Sequence, residues 1–146
     1  MKVSQKATYA LRAMLELARR GSGSGWMRSA QIASGAEIPE KYLEAIMVEL
    51  SRAGLVESRR GPEGGHRLAR AATTITAAEV VTAVEGPLKL TADAKPRGKG
   101  ARELAESTAE LWAEASAALR RVLEAVTLDE LLRRAQTRRG LADFDI

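Results

Sequence analysis

Residues 39–70 read PEKYLEAIMVELSRAGLVESRRGPEGGHRLAR, and two different periodicities meet inside them. Leu43, Ile46, Met47 and Leu50 fall at i, i+3, i+4 and i+7, which places them on one face of an amphipathic helix. Pro39 suits the first turn of that helix, and Gly54 suits a left-handed end. The opposite face shows Glu40, Lys41, Glu44, Ala45 and Arg52. The period then changes. LVESR at 55–59 begins by alternating apolar and polar, HRLAR at 66–70 is a second short extended segment, and GPEGG between them has the composition of a turn. A helix running into a basic two-stranded ribbon is the feature that organises the rest of the chain.

Upstream, Ala10, Ala13, Met14, Leu17 and Ala18 give residues 4–20 a helical stripe, and GSGSG at 21–25 breaks it. Ser29 is expected to cap a short helix to about Ser34, with Gly35 stopping it and residues 36–38 forming a tight turn. Helix, short helix, turn and amphipathic helix make a helix-turn-helix, and the following ribbon makes it a winged helix. Tyr42 is expected to be half-buried, with its hydroxyl toward the backbone.

Downstream, Thr76 and Glu79 form a capping box for a helix to Glu85, closed by Gly86 and Pro87. LKLTADAKPRGKG at 88–100 has no periodicity and reads as a mobile loop or linker. From 101 to 126, Leu104, Thr108, Leu111, Ala115, Ala118 and Val122 alternate steps of four and three, and Trp112, Leu119, Leu123 and Val126 widen the stripe. About 24 helical residues make a rod of roughly 36 Å, longer than a small winged-helix core can cover. It needs a partner surface, most economically a second copy of the chain. A second capping box, Thr127 to Glu130, starts a last helix to about Arg139. The expected class is mainly α with a small β-hairpin wing: a winged helix-turn-helix at 1–87, a loop at 88–100 and dimerisation and C-terminal helices at 101–146.

Composition narrows the function. Residues 1–70 carry twelve Lys/Arg against seven acids, and the remainder eleven against twelve, so the excess positive charge lies in the N-terminal half. Such asymmetry points to a polyanion-facing module. The chain has no cysteine and one histidine, which excludes disulfides, thiolate metal sites and a cysteine nucleophile, and makes zinc remote. No nucleophile–base pair or phosphate-binding glycine loop is visible, so an enzyme is not expected. With no apolar run long enough to span a bilayer and no signal-peptide core, the expectation is a cytoplasmic protein without a membrane partner. Two classes stay open on the residues alone: a DNA-binding regulator, and a protein-interaction adaptor using the same winged helix and helical arm.

KATYALRAMLELA at the N-terminus, QIASGAEIPEKYLEAIMVELSRAGLVESRRGPEGGHRLAR, ITAAEVVTAVEGP and LWAEASAALRRVLEAVTLDEL together resemble, over about residues 1–132, the BadM/IscR (Rrf-two) family of winged-helix transcriptional regulators. The most specific pieces are Leu43-Glu44, the Arg-Gly-Pro-x-Gly-Gly at 60–65 and the Ala-Val-Glu-Gly-Pro at 83–87. The resemblance implies a homodimer with crossed long helices, two recognition helices in successive major grooves of a pseudopalindromic operator, and repression as the expected outcome. Carried over by position, Lys41, Glu44 and Ala45 are expected to read base edges, Gln31 to meet the DNA backbone, and Arg59 and Arg60 to grip the duplex from the wing. Gly61, Gly64 and Gly65 shape the tip and let the backbone approach DNA. His66, where the family usually has an aromatic such as Tyr, is expected to pack at the ribbon base and reach a phosphate. Leu104, Leu111, Trp112, Ala115, Leu119 and Val122 are the expected dimerisation residues.

One segment departs from the family. Its iron- and redox-sensing members hold an iron–sulfur cluster with three cysteines at the positions of about 89–106, here KLTADAKPRGKGARELAE. Asp93, Glu103 and Glu106 are poor ligands for such a cluster. The resemblance is therefore to a cluster-free branch, with no cofactor. Lys89, Lys95, Arg97 and Lys99 belong to a solvated connector or to a sensing segment, and any effector, small molecule or protein, is not specified by the sequence.

Overall fold

The structure is a computed structural model that describes residues 2–20, 25–90 and 95–144, with the side chains of 142–144 excepted. Residues 21–24 of the glycine–serine break and 91–94 of the 88–100 segment, including Asp93, lie outside the described residues. The described chain runs α1 (Gln5–Arg20), α2 (Ser29–Ala36), α3 (Glu40–Arg52), β1 (Val56–Arg59), β2 (Gly65–Leu68), a 3₁₀ turn (Ala72–Thr74), α4 (Ala77–Glu85), α5 (Lys99–Glu124) and α6 (Leu128–Phe144).

Helices α1 to α4 enclose one aliphatic core. Met14, Ile32, Leu43, Met47, Leu50, Ile75 and Val80 are fully buried, as the helical spacing of each stripe requires. At the end of α3, Gly54 takes φ 76°, where a side chain would be strained. Thr76 accepts from Glu79 N–H at 3.2 Å while the Glu79 carboxylate accepts from Thr76 N–H at 2.9 Å, so the predicted capping box forms.

The start and end of α2 differ from expectation. Its N-cap is Arg28, not Ser29, and it continues through Gly35 to Ala36, with Glu37 in the left-handed region at φ 54°. The reason is packing. A Cβ on residue 35 would lie 2.4 Å from Oε1 of the buried Glu16 of α1, so the glycine makes room for a carboxylate rather than ending a helix. Tyr42 keeps 47% of its surface, half-buried as expected, and lies beside Tyr9 with ring centroids 6.4 Å apart.

The C-terminal helices part company. Leu128, at the start of α6, is completely buried in the winged-helix core, and Ala77 N–H to Val126 O (2.8 Å) and Leu128 N–H to Ile75 O (2.9 Å) tie the two chain segments together. Helix α6 then lies along α1 and runs past the expected Arg139 to Phe144. By contrast, α5 buries only Ser116. Residues 88–90 are held against it: the Ser116 hydroxyl accepts from Leu90 N–H at 2.8 Å, and Arg120 donates to Leu88 O at 2.9 Å. This part of the expected loop is clipped down by side chains that no periodicity would reveal.

Candidate nucleic-acid interface

The wing is a two-stranded antiparallel ribbon with Val56 opposite Leu68, Glu57 opposite Arg67, Ser58 opposite His66 and Arg59 opposite Gly65. Alternation sends Val56, Ser58, His66 and Leu68 to one face and Glu57, Arg59 and Arg67 to the other. A third extended residue, Met27, completes the edge: its N–H donates to His66 O at 2.8 Å and its carbonyl accepts from His66 N–H at 2.7 Å. Gly65 sits at φ 145°, where a Cβ would meet Met27 O at 2.3 Å. Gly64 is also forced, because a Cβ there would lie 2.1 Å from Arg59 O. These two glycines serve approach within the chain itself, whereas Gly61, at φ 105°, shapes the turn and faces open space.

Between the wing and the exposed face of α3 lies an open groove of about 670 Å³. Glu44 lines it from α3, Arg59, Arg60, Gly61, Gly64 and Gly65 from the wing, and His66 from its base. Sequence reasoning missed Arg28, Ser29, Val48 and Ser51, and gave Arg52 no role. Among the described residues, Arg28, Arg52, Arg59 and Arg60 have no carboxylate within ion-pair distance, while Arg67 is paired with Glu57 at 2.8 Å. Four arginines without an ionic partner line this concave surface, with the Arg59 guanidinium held toward Trp26 on the ribbon's other face, and such a set is suited to phosphates. Arg28 is fixed to the wing tip by donating to Pro62 O. Only proximity in space reveals this role, since Arg28 and Pro62 are far apart in the chain.

Other expected contacts lie differently. Ala45 is exposed on α3 but outside the groove, and Lys41 Nζ sits 5.0 Å from the centroid of the Tyr42 ring. The Gln31 amide oxygen turns back to accept from Arg28 N–H at 3.0 Å, so it helps to cap α2. Trp26, singled out by no pattern, faces the outer side of the wing, with Arg67 Cζ 4.2 Å and Arg59 Cζ 5.9 Å from its ring. Such cation–π contacts restrict where an arginine points while leaving its charge intact.

His66 is the best-connected side chain of the groove. Its Nε2 is 2.9 Å from Ser29 Oγ and its Nδ1 is 2.7 Å from Ser58 Oγ. Burial pushes its pKa below the ordinary value of 6.5, and the nearby Glu44 carboxylate pulls it the other way.

An exposed helix face, a docked basic ribbon and the groove between them define a winged helix-turn-helix regulator. The comparisons with known proteins agree. Residues 3–134 match the family described as Rrf2, iron-dependent transcriptional regulator. CymR of Bacillus subtilis is 35% identical over 135 residues, covering 90% of this chain and 89% of the relative, and IscR of Klebsiella pneumoniae is 35% identical over 134 residues, covering 90% and 80%. Among solved structures, CymR, the global cysteine regulator of B. subtilis, superposes with a TM-score of 0.73 at 33% identity over 92% of this chain and 98% of its own, and T. potens IscR with 0.68 at 30% over 92% and 88%. The chain belongs to the Rrf2 family of transcriptional regulators.

Proposed function

We propose that the protein is a homodimeric, sequence-specific DNA-binding repressor that works without an iron–sulfur cluster. The observation that carries this reading is the groove between α3 and the wing, with four unpaired arginines around it and Glu44 on its wall. In this reading α3 enters the major groove, where Glu44 accepts from a cytosine amino group and Lys41 and Ala45 meet neighbouring bases or backbone. Arg59 and Arg60 reach phosphates or the narrow minor groove, Arg28 and Arg52 add phosphate contacts, and Gln31 lies at the backbone through its free amide N–H groups.

Helix α5 supports the dimer. It is 26 residues long, about 39 Å, and leaves Leu104 (72%), Leu111 (55%), Leu119 (39%) and Val122 (63%) exposed. A second α5 would cover them, with Trp112 and Ala115 at the seam, and the two-fold axis would set half-sites about 34–36 Å apart on a pseudopalindromic operator. Bound there, the dimer blocks promoter access. The protein is read as a non-catalytic, cytoplasmic regulator.

The family description invokes iron, but the donor set does not fit a cluster. The chain has no cysteine, and no group of three or more His, Asp or Glu able to hold a metal occurs among the described residues. The segment at 89–106 presents cations instead, and His66 is committed to two serines in the wing. A small-molecule or protein effector is left as the source of any signal.

Selection of duplexes from a random pool, followed by fluorescence anisotropy across salt concentrations, tests the proposal. A pseudopalindromic motif should be enriched. Arg59→Ala with Arg60→Ala should weaken binding to all sequences and lower the salt slope by about 2, roughly one per lost phosphate contact. Glu44→Ala should mainly alter sequence preference. A double variant that binds like wild type would remove the wing from the interface, and selection that enriches no motif would favour a protein-docking adaptor.

A further inference from the structure

The two ring nitrogens of His66 are both occupied within the chain, which changes what this residue does at the interface. Ser29 opens α2, Ser58 lies in β1, and His66 itself lies in β2, so one imidazole joins the helix-turn-helix to both strands of the wing. Neutral imidazole has one donor and one acceptor, and a serine hydroxyl rotates to supply whichever is missing, so both bonds close without a net charge. The main chain of the same residue is bonded in both directions to Met27. Wing and helices are thus fastened at one position, on the wall of the groove, beside Glu44.

We propose that His66 is a positioning residue of the DNA interface: it fixes the wing to the helix-turn-helix through Ser29 and Ser58, and duplex binding draws a proton onto its imidazole. Both bonds survive protonation, because the serine oxygens then accept from two N–H donors. The added charge has a clear electrostatic role. In the free protein burial opposes it and Glu44 on α3 favours it, while Arg28 at the start of α2, Glu40 and Arg52 on α3, and Arg59 and Arg60 on the wing line the same groove. Phosphates entering the groove neutralise those arginines and add negative potential, which shifts the balance toward imidazolium. Linkage then requires tighter binding in mild acid.

This inference rests on the DNA-binding reading, but its two halves are separable by experiment. Because His66 is the only histidine in the chain, imidazole NMR of the full-length protein reports its tautomer and titration without assignment. The free protein should titrate below 6.5 and keep slowly exchanging imidazole N–H protons, and Ser29→Ala or Ser58→Ala should perturb both. A histidine whose ring protons exchange freely and that titrates at the ordinary value would overturn the bracket.

For the second half, anisotropy with the selected duplex between about pH 8 and pH 6 should give at least about threefold tighter binding by wild type in acid, below the tenfold per unit that one linked proton allows. His66→Gln keeps a donor and an acceptor but does not titrate in this range, so its profile should be shallower than wild type's and keep only what the α-amino group contributes. Equal profiles for wild type and His66→Gln would overturn the proton linkage. If wild type binds no selected duplex at any pH, the DNA-binding reading and the linkage both fall, whereas the NMR titration still decides the bracket.

Discussion

The winged unit and helix α5 are both built from amphipathic helices, yet they end in opposite states. In the unit, the stripe of α3 is covered by its own chain: Leu43 and Leu50 have no exposure. In α5 a stripe of similar spacing stays open, and Leu104 keeps 72% of its surface. One side of α5 is used, by α4 and by residues 88–90 against Ser116 and Arg120. The difference teaches that a helical period announces an apolar surface without specifying what covers it. Short connections between α1 and α4 let one chain close a core, whereas a rod of about 39 Å outruns the unit it leaves.

The comparison can be broken or sharpened by changes ranked by their effect on the winged unit. Leu43→Ala should cost most, about 2–5 kcal/mol, because the cavity opens in a closed core; denaturant unfolding measures it. Gly65→Ala should follow at about 1–3 kcal/mol, since its backbone is at φ 145° and Met27 O blocks the added carbon. It should also weaken DNA binding by displacing the wing. Thr76→Ala removes the α4 cap and should cost about 1 kcal/mol in the same assay.

A smaller effect is expected from pH. Folding holds the His66 pKa below 6.5, so the unfolded chain takes up the proton first. The stability gained from neutral His66 is present above 6.5 and is lost as pH falls through the folded value. Thermal unfolding of His66→Gln should show a shallower decline over that window. Least of all should Leu111→Glu with Val122→Glu disturb the unit, since both side chains are exposed on α5. Sedimentation should nevertheless convert a dimer to a monomer, with operator affinity falling. If the double variant unfolds the winged unit instead, α5 belongs to that core and the contrast fails.

Much of this was legible in the residues. The stripes of α1, α3 and α5, the capping box at Thr76 and Glu79, the ribbon at 56–68 and the absence of thiolates all follow from local spacing or composition. At Thr127 only the hydroxyl half of the expected box forms, because the Glu130 carboxylate pairs with Arg133 and Arg134. What escaped is long-range. Gly35 looked like a helix stop because a sequence does not display Glu16 beside it. Ser29 looked like a cap because its bond to His66 spans 37 residues. Arg28 had no signal until it met Pro62, and Trp26 none until it met Arg59 and Arg67. His66 was expected at a phosphate, but its ring nitrogens are taken by two serines.

By itself, the sequence determined the kinds of element, their order, the basic bias of the N-terminal half and the lack of cysteine. These depend on side-chain period, capping chemistry and residue type, all of which act within a few positions. Tertiary structure alone decided that Leu128 returns from beyond α5 to finish the first core, that Gly64 and Gly65 make room for the chain's own backbone, and that four arginines converge on one groove. Those outcomes depend on which surfaces meet after the chain has folded, and contact between distant segments leaves no period to read.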